Sequence, residues 1–499
     1  MLSGMPRSVS TAIIGAGFGG IAAAAALKRQ GQEDFVMLER GDRVGGVWRA
    51  NTYPGIACDV PSHLYSLSFA PKADWTRRFS PGAEIQAYLE EVVRRLDLGR
   101  HLRFQSDVER ATFDDSGRWR LELSGGEELE AEVLVTACGQ LTRPAIPDIS
   151  GLASFEGEMF HSAHWPDRSP ESLGRVAVLG TGASAIQFVP AVAPRVEHLT
   201  VFQRSAPWVI PKSDKPYSAR TKRLYKRAPW LQRAIRETWW AGMEGLVPVF
   251  TRRPGPLAKA ITVPFRAMSA LHRAIQLRGN RRLIAATEPD YPLGCKRILI
   301  TSEWYPTLLR PNVELVTKGI REVVPDAVVT DDGVRHPVDT IIFGTGFTAT
   351  QFLAPMEVRG RDGTSLNEVW RDGAEAYLGM AVPGFPNFFV LYGPNTNHGT
   401  GSALALLEAQ AGYVGDAVRM LATGAANRLE VRQEVHDAFR HELDERLHDS
   451  VWATCSSWYV TESGRVTNNW PGTQTEYRRR TAHLNPADYL TEAPTPAVV

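Results

Sequence analysis

Two glycine-rich turns carry the first chemical information in this chain. Gly15-x-Gly17-x-x-Gly20 closes an apolar run that starts at Thr11, and Gly180-x-Gly182-x-x-Ala185 closes one that starts at Val176. Phe18 sits inside the first turn. At this spacing the first glycine allows a tight turn and the second lets the main chain approach a pyrophosphate. The third small residue lets the following helix pack close to the strand. That helix then points its free N–H groups at the phosphates. A second apolar strand follows each turn, at 35–38 and at 198–202, and ends on a charged residue 24 positions after the first glycine. It is Glu39 in the first unit and Arg204 in the second. An acid accepts from a free ribose 2′-OH, whereas arginine pairs with a 2′-phosphate. The first site therefore suits FAD and the second NADPH.

Strand, turn, helix and strand make a βαβ unit, and two of them predict the α/β class. The expected architecture is two Rossmann-like dinucleotide-binding domains with a helical insertion in the second. Two short stretches repeat: 132–139 is E-V-L-V-T-A-C-G and 339–346 is D-T-I-I-F-G-T-G. Each is an acid, an apolar strand and a terminal glycine, as expected where a chain crosses between two nucleotide domains. The expected division is FAD-binding 1–148, NADP-binding 149–208, helical insertion 209–291, NADP-binding 292–343 and FAD-binding 344–499. Strands are expected at 108–113 and 118–123, paired, and at 388–392. Helices are expected at 82–96, 219–244, 264–278, 403–421 and 428–448.

Composition bounds the rest. A chain of 499 residues exceeds one core. With 43% hydrophobic and 22% charged residues and a formal net charge of +1, it reads as an ordinary globular protein with no acidic partner. Residues 8–27 are uncharged and long enough to span a bilayer, but their glycines and alanines fit the nucleotide turn better. The four cysteines, Cys58, Cys138, Cys295 and Cys455, are far apart and form no C-x-x-C. Neither a zinc site nor a redox dithiol is expected, and a reducing cytoplasm fits. Residues 212–282 hold seventeen Lys and Arg against three acids. Such a segment is either a solvated face or a weak membrane-surface contact; nucleic acid is not expected as a partner.

Between the two units, residues 40–59 form an irregular loop, R-G-D-R-V-G-G-V-W-R-A-N-T-Y-P-G-I-A-C-D. A second glycine-rich loop, G-P-N-T-N-H-G-T-G-S at 393–402, precedes a helix whose N-terminus offers positive charge to a flavin edge. His398 reads as a loop histidine. The segment Phe155-x-Gly157-x-x-x-His161-x-x-x-Trp165-Pro166 is similar to the F-x-G-x-x-x-H-x-x-x-W-[PD] fingerprint of the Baeyer–Villiger monooxygenases. Gly45-Gly46-Val47-Trp48 through Tyr53-Pro54-Gly55 to Asp59 resembles that family's second signature. The resemblance covers nearly the whole chain.

The resemblance implies roles at matching positions. Glu39, Val47, Trp48, Asp59, Tyr65 and Val108 fall where the family contacts FAD. Thr181, Gly182, Ala183, Ser184, Ala185, Ile186, Gln187, Arg204, Ser205 and Lys296 fall where it holds NADP. Arg297 matches the family's catalytic arginine and Asp59 the acid beside it. Trp458, in S-W-Y, matches a tryptophan that the family brings near the nicotinamide, although the following stretch departs from the pattern. His161 and Trp165, in the linker, are expected to set domain geometry.

The implied reaction uses NADPH and O2 to form a C4a-peroxyflavin, which inserts one oxygen beside a ketone carbonyl to give an ester or lactone. A peroxide anion needs a cation that never deprotonates, which arginine satisfies better than lysine. Sulfide or amine oxygenation on the same scaffold is the alternative. A small ketone and O2 are the expected partners.

Overall fold

A computed structural model describes residues 8–251, 256–455 and 457–491. Within the basic stretch read above, 252–255 lie outside them. In chain order the strands used below are β1 (Ser8–Ile14), β2 (Phe35–Leu38), β3 (Leu102–Arg103), β4 (Val108–Phe113), β5 (Trp119–Leu123), β6 (Glu128–Thr136) and β7 (Glu158–His161). They continue as β8 (Arg175–Leu179), β9 (His198–Phe202), β10 (Val313–Val316), β11 (Thr340–Phe343), β12 (Glu357–Arg359) and β13 (Phe388–Val390). One sheet runs β12-β4-β5-β6-β1-β2-β3, with β13 joining β6. The other runs β10-β9-β8-β11-β7 and is parallel throughout. The fold is α/β, with one Rossmann-type sheet for each glycine-rich turn.

Helix α1 (Phe18–Arg29) follows the first turn. Residues 22–26 are alanines with almost no exposure, because α1 lies between the first sheet and another helix. A Cβ on Gly19 would stand 3.3 Å from Leu407 of that helix, so short side chains are what allow the close approach. Helix α2 (Gly82–Arg95) buries Ile85, Tyr88, Leu89 and Val92 on one face. In the second unit the helix after the turn is α3 (Ala185–Val192).

The two repeated stretches hold the same station in both sheets. The Gly15 N–H donates to the Leu38 carbonyl at 2.7 Å and the Ala137 N–H to Ile14 at 2.8 Å. The Gly180 N–H donates to Phe202 at 3.0 Å and the Gly344 N–H to Leu179 at 2.8 Å. A Cβ on Gly15 would meet the Ala137 carbonyl oxygen at 2.6 Å, and one on Gly180 would meet that of Gly344 at 2.6 Å. Both glycines have positive φ, +103° and +105°, so only glycine fits on either count. After β6 and β11 the chain crosses between sheets. The two crossings lie side by side as a short antiparallel ribbon: Pro144 pairs with Phe347, and the Ala145 N–H donates to Gly346 at 2.9 Å.

Three helix expectations need correction. The span 219–244 is two helices, α4 (Ala219–Arg227) and α5 (Pro229–Glu244), broken at Ala228 because the residue before a proline avoids the helical region. The helix expected from 264 starts earlier, as α6 (Pro256–Gln276), and runs through Pro264. Pro264 and Ala260, the residue whose carbonyl loses its donor, are both exposed to solvent. Residues 429–431 are a strand paired with Tyr489–Thr491, not the start of a helix. Helix α7 (Ala403–Ala422) lies one residue from expectation, and α8 (Gln433–His448) follows the strand.

The cysteine reading is also corrected. Cys295 and Cys455 are bonded as a disulfide with Cα atoms 6.3 Å apart. The two are 160 residues apart in sequence, so no local spacing reveals them. Several cations of the basic insertion turn inward. Arg236 donates to the carbonyls of His63, Leu64 and Ser66, and Arg273 is buried beside Thr287.

Candidate cofactor and active site

The first turn is built to take an anion. Helix α1 starts at Gly17 with no side-chain cap and no acid in its first turn, leaving its N–H groups for a ligand. The Gly45-Gly46 turn backs onto it: a Cβ on Gly46 would meet the Gly17 Cα at 3.1 Å. Phe18, Trp48 and Tyr65 form an aromatic wall beside this turn, with ring centres 5.4 and 5.7 Å from that of Tyr65. The Trp48 indole donates to the Tyr65 hydroxyl at 3.1 Å. The Glu39 carboxylate ends β2 and accepts from the N–H groups of Ala16 and Gly41, at 2.9 and 2.8 Å. Val47 opens the short turn that carries Trp48. Val108 is buried in the sheet and lines no open surface. These groups fit a dinucleotide with a free ribose hydroxyl and an aromatic ring system.

The second turn differs in charge. Helix α3 also lacks a side-chain cap and a first-turn acid. Gly182 is exposed, with half-buried Ala183 and Ser184 next to it and Ala185 and Ile186 buried beneath. The Thr181 hydroxyl donates to the Ser205 carbonyl at 3.2 Å, and the Lys296 ammonium donates to the Ser205 hydroxyl at 3.1 Å. Burial, and then the neighbouring Arg204 charge, lowers the Lys296 ammonium below its ordinary value. Two crowded cations next to an uncapped helix end fit a phosphate monoester, as NADPH carries.

The loop at 45–59 ties the two turns together. It leaves the first turn at Gly46 and inserts Tyr53 into the core of the second unit, ring-to-ring with Phe188 at 6.0 Å. The Ala57 N–H donates to the Gln187 side chain at 2.8 Å, and a Cβ on Gly55 would meet the Gln187 carbonyl oxygen at 2.6 Å. The Gln187 amide is thus engaged with the loop. The loop then delivers Asp59 to Arg297, the residue after Lys296. Arg297 Nε donates to Asp59 Oδ2 at 2.9 Å, and Nη2 to Oδ1 and Oδ2 at 2.7 and 2.6 Å. The Asp59 charge raises the Arg297 guanidinium above its ordinary value. Burial pushes the Asp59 carboxyl up, but Arg297 outweighs it and holds it below the carboxylate range. Both partners stay ionised at any working pH. The Arg297 side chain remains 42% exposed.

Two residues near this pair escaped the sequence reading. Tyr392 and Tyr459 lie within reach of the Arg297 charge, and burial pushes both hydroxyls up to about 12. Tyr392 donates to Asn397 Oδ1 at 2.8 Å, and Asn397 in turn donates to Asn469 at 2.7 Å, so the 393–402 loop is held by the C-terminal segment. Trp458 is 37% exposed at the surface, its ring tilted by 42° against that of Tyr459 with ring centres 4.2 Å apart. The only signal for Tyr459 was its place beside Trp458. His398 bridges the Thr400 and Gly472 carbonyls, a role in holding its loop.

The fingerprint residues run along the β7 edge of the second sheet, Phe155 and Gly157 at its start and His161 at its end beside the crossing. A Cβ on Gly157 would stand 2.3 Å from the Asp339 carbonyl oxygen, so glycine is what lets β7 enter beside β11. Phe155 is buried against that edge. His161 is buried at the end of β7 with its ring 5.5 Å from Phe347, and burial lowers its imidazole to about 4. Trp165 packs on Phe160 and Phe188.

A family model described as pyridine nucleotide-disulphide oxidoreductase matches residues 12–229. A protein of Streptomyces coelicolor named Baeyer-Villiger monooxygenase is 44% identical over 98% of this chain and 94% of its own. One of the same name from Pseudomonas aeruginosa is 39% identical over 99% and 93%. The solved structure of an oxidized steroid monooxygenase bound to NADP aligns at a TM-score of 0.83 with 31% identity, covering 95% of this chain and 97% of that one.

Proposed function

We infer from membership of the Baeyer–Villiger monooxygenase family, to which the chain belongs, that it oxidises a ketone to an ester or lactone with NADPH and O2. FAD and NADPH are its cofactors. Bound FAD, reduced by NADPH, supplies the oxygen activation. The chain supplies binding, position and charge. The observation that carries the site assignment is the bidentate Arg297–Asp59 pair at the end of a loop that touches both glycine turns.

The proposed division of labour follows the geometry. The α1 end, Gly15, Gly17, Gly20, Glu39 and the Phe18–Trp48–Tyr65 wall hold FAD. The α3 end with Thr181, Arg204, Ser205 and Lys296 holds NADPH. Asp59 fixes the Arg297 guanidinium, which stabilises the negative charge that develops during oxygen transfer. Arginine suits this because it cannot give up its proton, and the neighbouring carboxylate tightens that hold. Trp458 is assigned to the nicotinamide side and His161 with Trp165 to the joint. The division at 148, 208, 291 and 343 accompanies this reading. The site is proposed to work in the cytoplasm. Among the described residues no helix is long and apolar enough to cross a membrane. The inward-facing Arg236 and Arg273 offer nothing to a membrane surface.

The test is product analysis with ketone and sulfide panels, NADPH and air. Esters or lactones are expected from the ketones. Sulfoxides formed in their place would select the alternative oxygenation.

A further inference from the structure

We propose that Cys295 and Cys455 form a peroxide-driven, reversible disulfide that latches the C-terminal loop onto the segment carrying Arg297. This rests on the oxygenase reading only for the source of the oxidant.

The placement gives the pair its meaning. Cys295 is fully buried, two residues before Arg297. Cys455 is half-buried at the end of a short helical turn, Val451–Thr454, three residues before Trp458 and four before Tyr459. The two segments already pack on each other. A Cβ on Gly294 would touch Phe250 at 3.1 Å and Val451 at 3.5 Å, and Phe250 stacks on Trp452. The Cα separation of 6.3 Å lies inside the range that a disulfide spans. The remaining thiols are poor competitors. Cys58 is buried, and burial pushes the Cys138 thiol up to about 12.

Hydrogen peroxide is the oxidant, and an oxygenase releases it whenever reduced flavin is reoxidised without transferring oxygen. The Cys455 thiolate, the more accessible sulfur, attacks one peroxide oxygen. The O–O bond breaks, hydroxide leaves, and Cys455 becomes a sulfenic acid. The Cys295 sulfur then attacks that sulfur, the S–O bond breaks, and the second oxygen leaves as water. Two thiols and one peroxide give one disulfide and two waters, with both electrons coming from the sulfurs.

The closed bridge prevents the loop with Trp458 and Tyr459 from lifting off the Arg297 segment. Exchange at the exposed side of Arg297 then slows. A futile cycle that makes peroxide thereby throttles its own enzyme, and a reducing cytoplasm reopens it.

The test uses the FAD-loaded full chain, first reduced by dithiothreitol and then freed of it. One arm receives hydrogen peroxide alone. The other receives NADPH and air without ketone, with and without catalase. Thiols are counted after denaturation, disulfide-linked peptides are identified by mass, and turnover is measured before and after dithiothreitol. Wild type should fall from four thiols to two in both arms, with the 295 and 455 peptides linked. Its turnover should drop severalfold and recover on reduction, and catalase should prevent the change in the second arm. Cys455→Ser should form no link and keep its turnover after peroxide. Four thiols surviving added peroxide, or a link through Cys58 or Cys138, would overturn the latch. So would a bridge that leaves turnover unchanged. NADPH oxidation with peroxide release but no bridge would overturn the latch and leave the oxygenase reading standing. A bridge from added peroxide, with NADPH left unoxidised in an FAD-loaded preparation, would support the pairing and count against the oxygenase reading instead.

Discussion

Asp59→Asn tests whether the carboxylate acts only through Arg297. Three contacts of 2.6 to 2.9 Å join the pair. A hydrogen bond between charged groups contributes roughly 1.5–3 kcal/mol net. Arg297 and Asp59 are 42% and 24% exposed, so water screens the pair and the low end applies. A loss of about 1.5 kcal/mol reduces the correctly posed guanidinium roughly tenfold. Ester formation by Asp59→Asn should fall by that factor while NADPH is still consumed, and the difference should appear as hydrogen peroxide. Arg297→Ala removes the donor itself, and loss of one such donor costs on the order of 10²–10³ in rate. The double variant should be no slower than Arg297→Ala alone, because Asp59 has nothing left to position. The assay is ester formed and peroxide released per NADPH consumed, for wild type, both single variants and the double. If the two losses multiply, Asp59 acts on something other than Arg297. If Arg297→Ala still couples normally, Arg297 is not the charge that oxygen transfer needs.

Three further outcomes are expected. Arg204→Ala should cost about ten- to a hundredfold in preference for NADPH over NADH, read as the ratio of kcat/KM values, since a charge-assisted contact to the 2′-phosphate is lost. His63 and His161 are both buried and held near 4 by burial, below the ordinary 6.5 of an unfolded histidine. Above pH 6.5 neither costs the fold anything; as pH falls below 6.5 the unfolded chain takes up these protons first, and the stability lost amounts to about 2–3 kcal/mol each by pH 4. Urea midpoints measured across that window should fall with acid and should flatten in His161→Phe. Gly157→Ala should lower the melting temperature without changing bound FAD, because the added carbon meets the Asp339 carbonyl at 2.3 Å; an unchanged melt would show that β7 has room there.

Sequence legibility followed the range of the interactions. Both glycine turns were legible because the positive φ at Gly15 and Gly180, which favours glycine, is a local requirement. Residues 132–139 and 339–346 were legible as equivalents because each must supply the same parallel strand beside a turn. The Arg297–Asp59 pair was reached through family resemblance, since 238 residues separate its members. What stayed hidden depends on partners far along the chain. The strand at Leu429–Val431 exists only because Tyr489–Thr491 lies beside it. Pro264 looked like a helix start because the cost of a proline inside a helix depends on whether water reaches the freed carbonyl. Tyr392 and Tyr459 gained their place from tertiary packing alone.

The antiparallel ribbon of the two crossings has a mechanical consequence. Two strands of chain joined by hydrogen bonds from Ala145 to Gly346 and from Thr348 to Arg143 resist shear and twist more than bending about one line, as a strip of tape does. A swing of one sheet against the other about that line would move the Gly55–Ala57 stretch relative to Gln187 and the Asp59 end of the loop relative to Arg297. A substitution that stiffens the ribbon should therefore change nucleotide affinity and the Arg297–Asp59 alignment together.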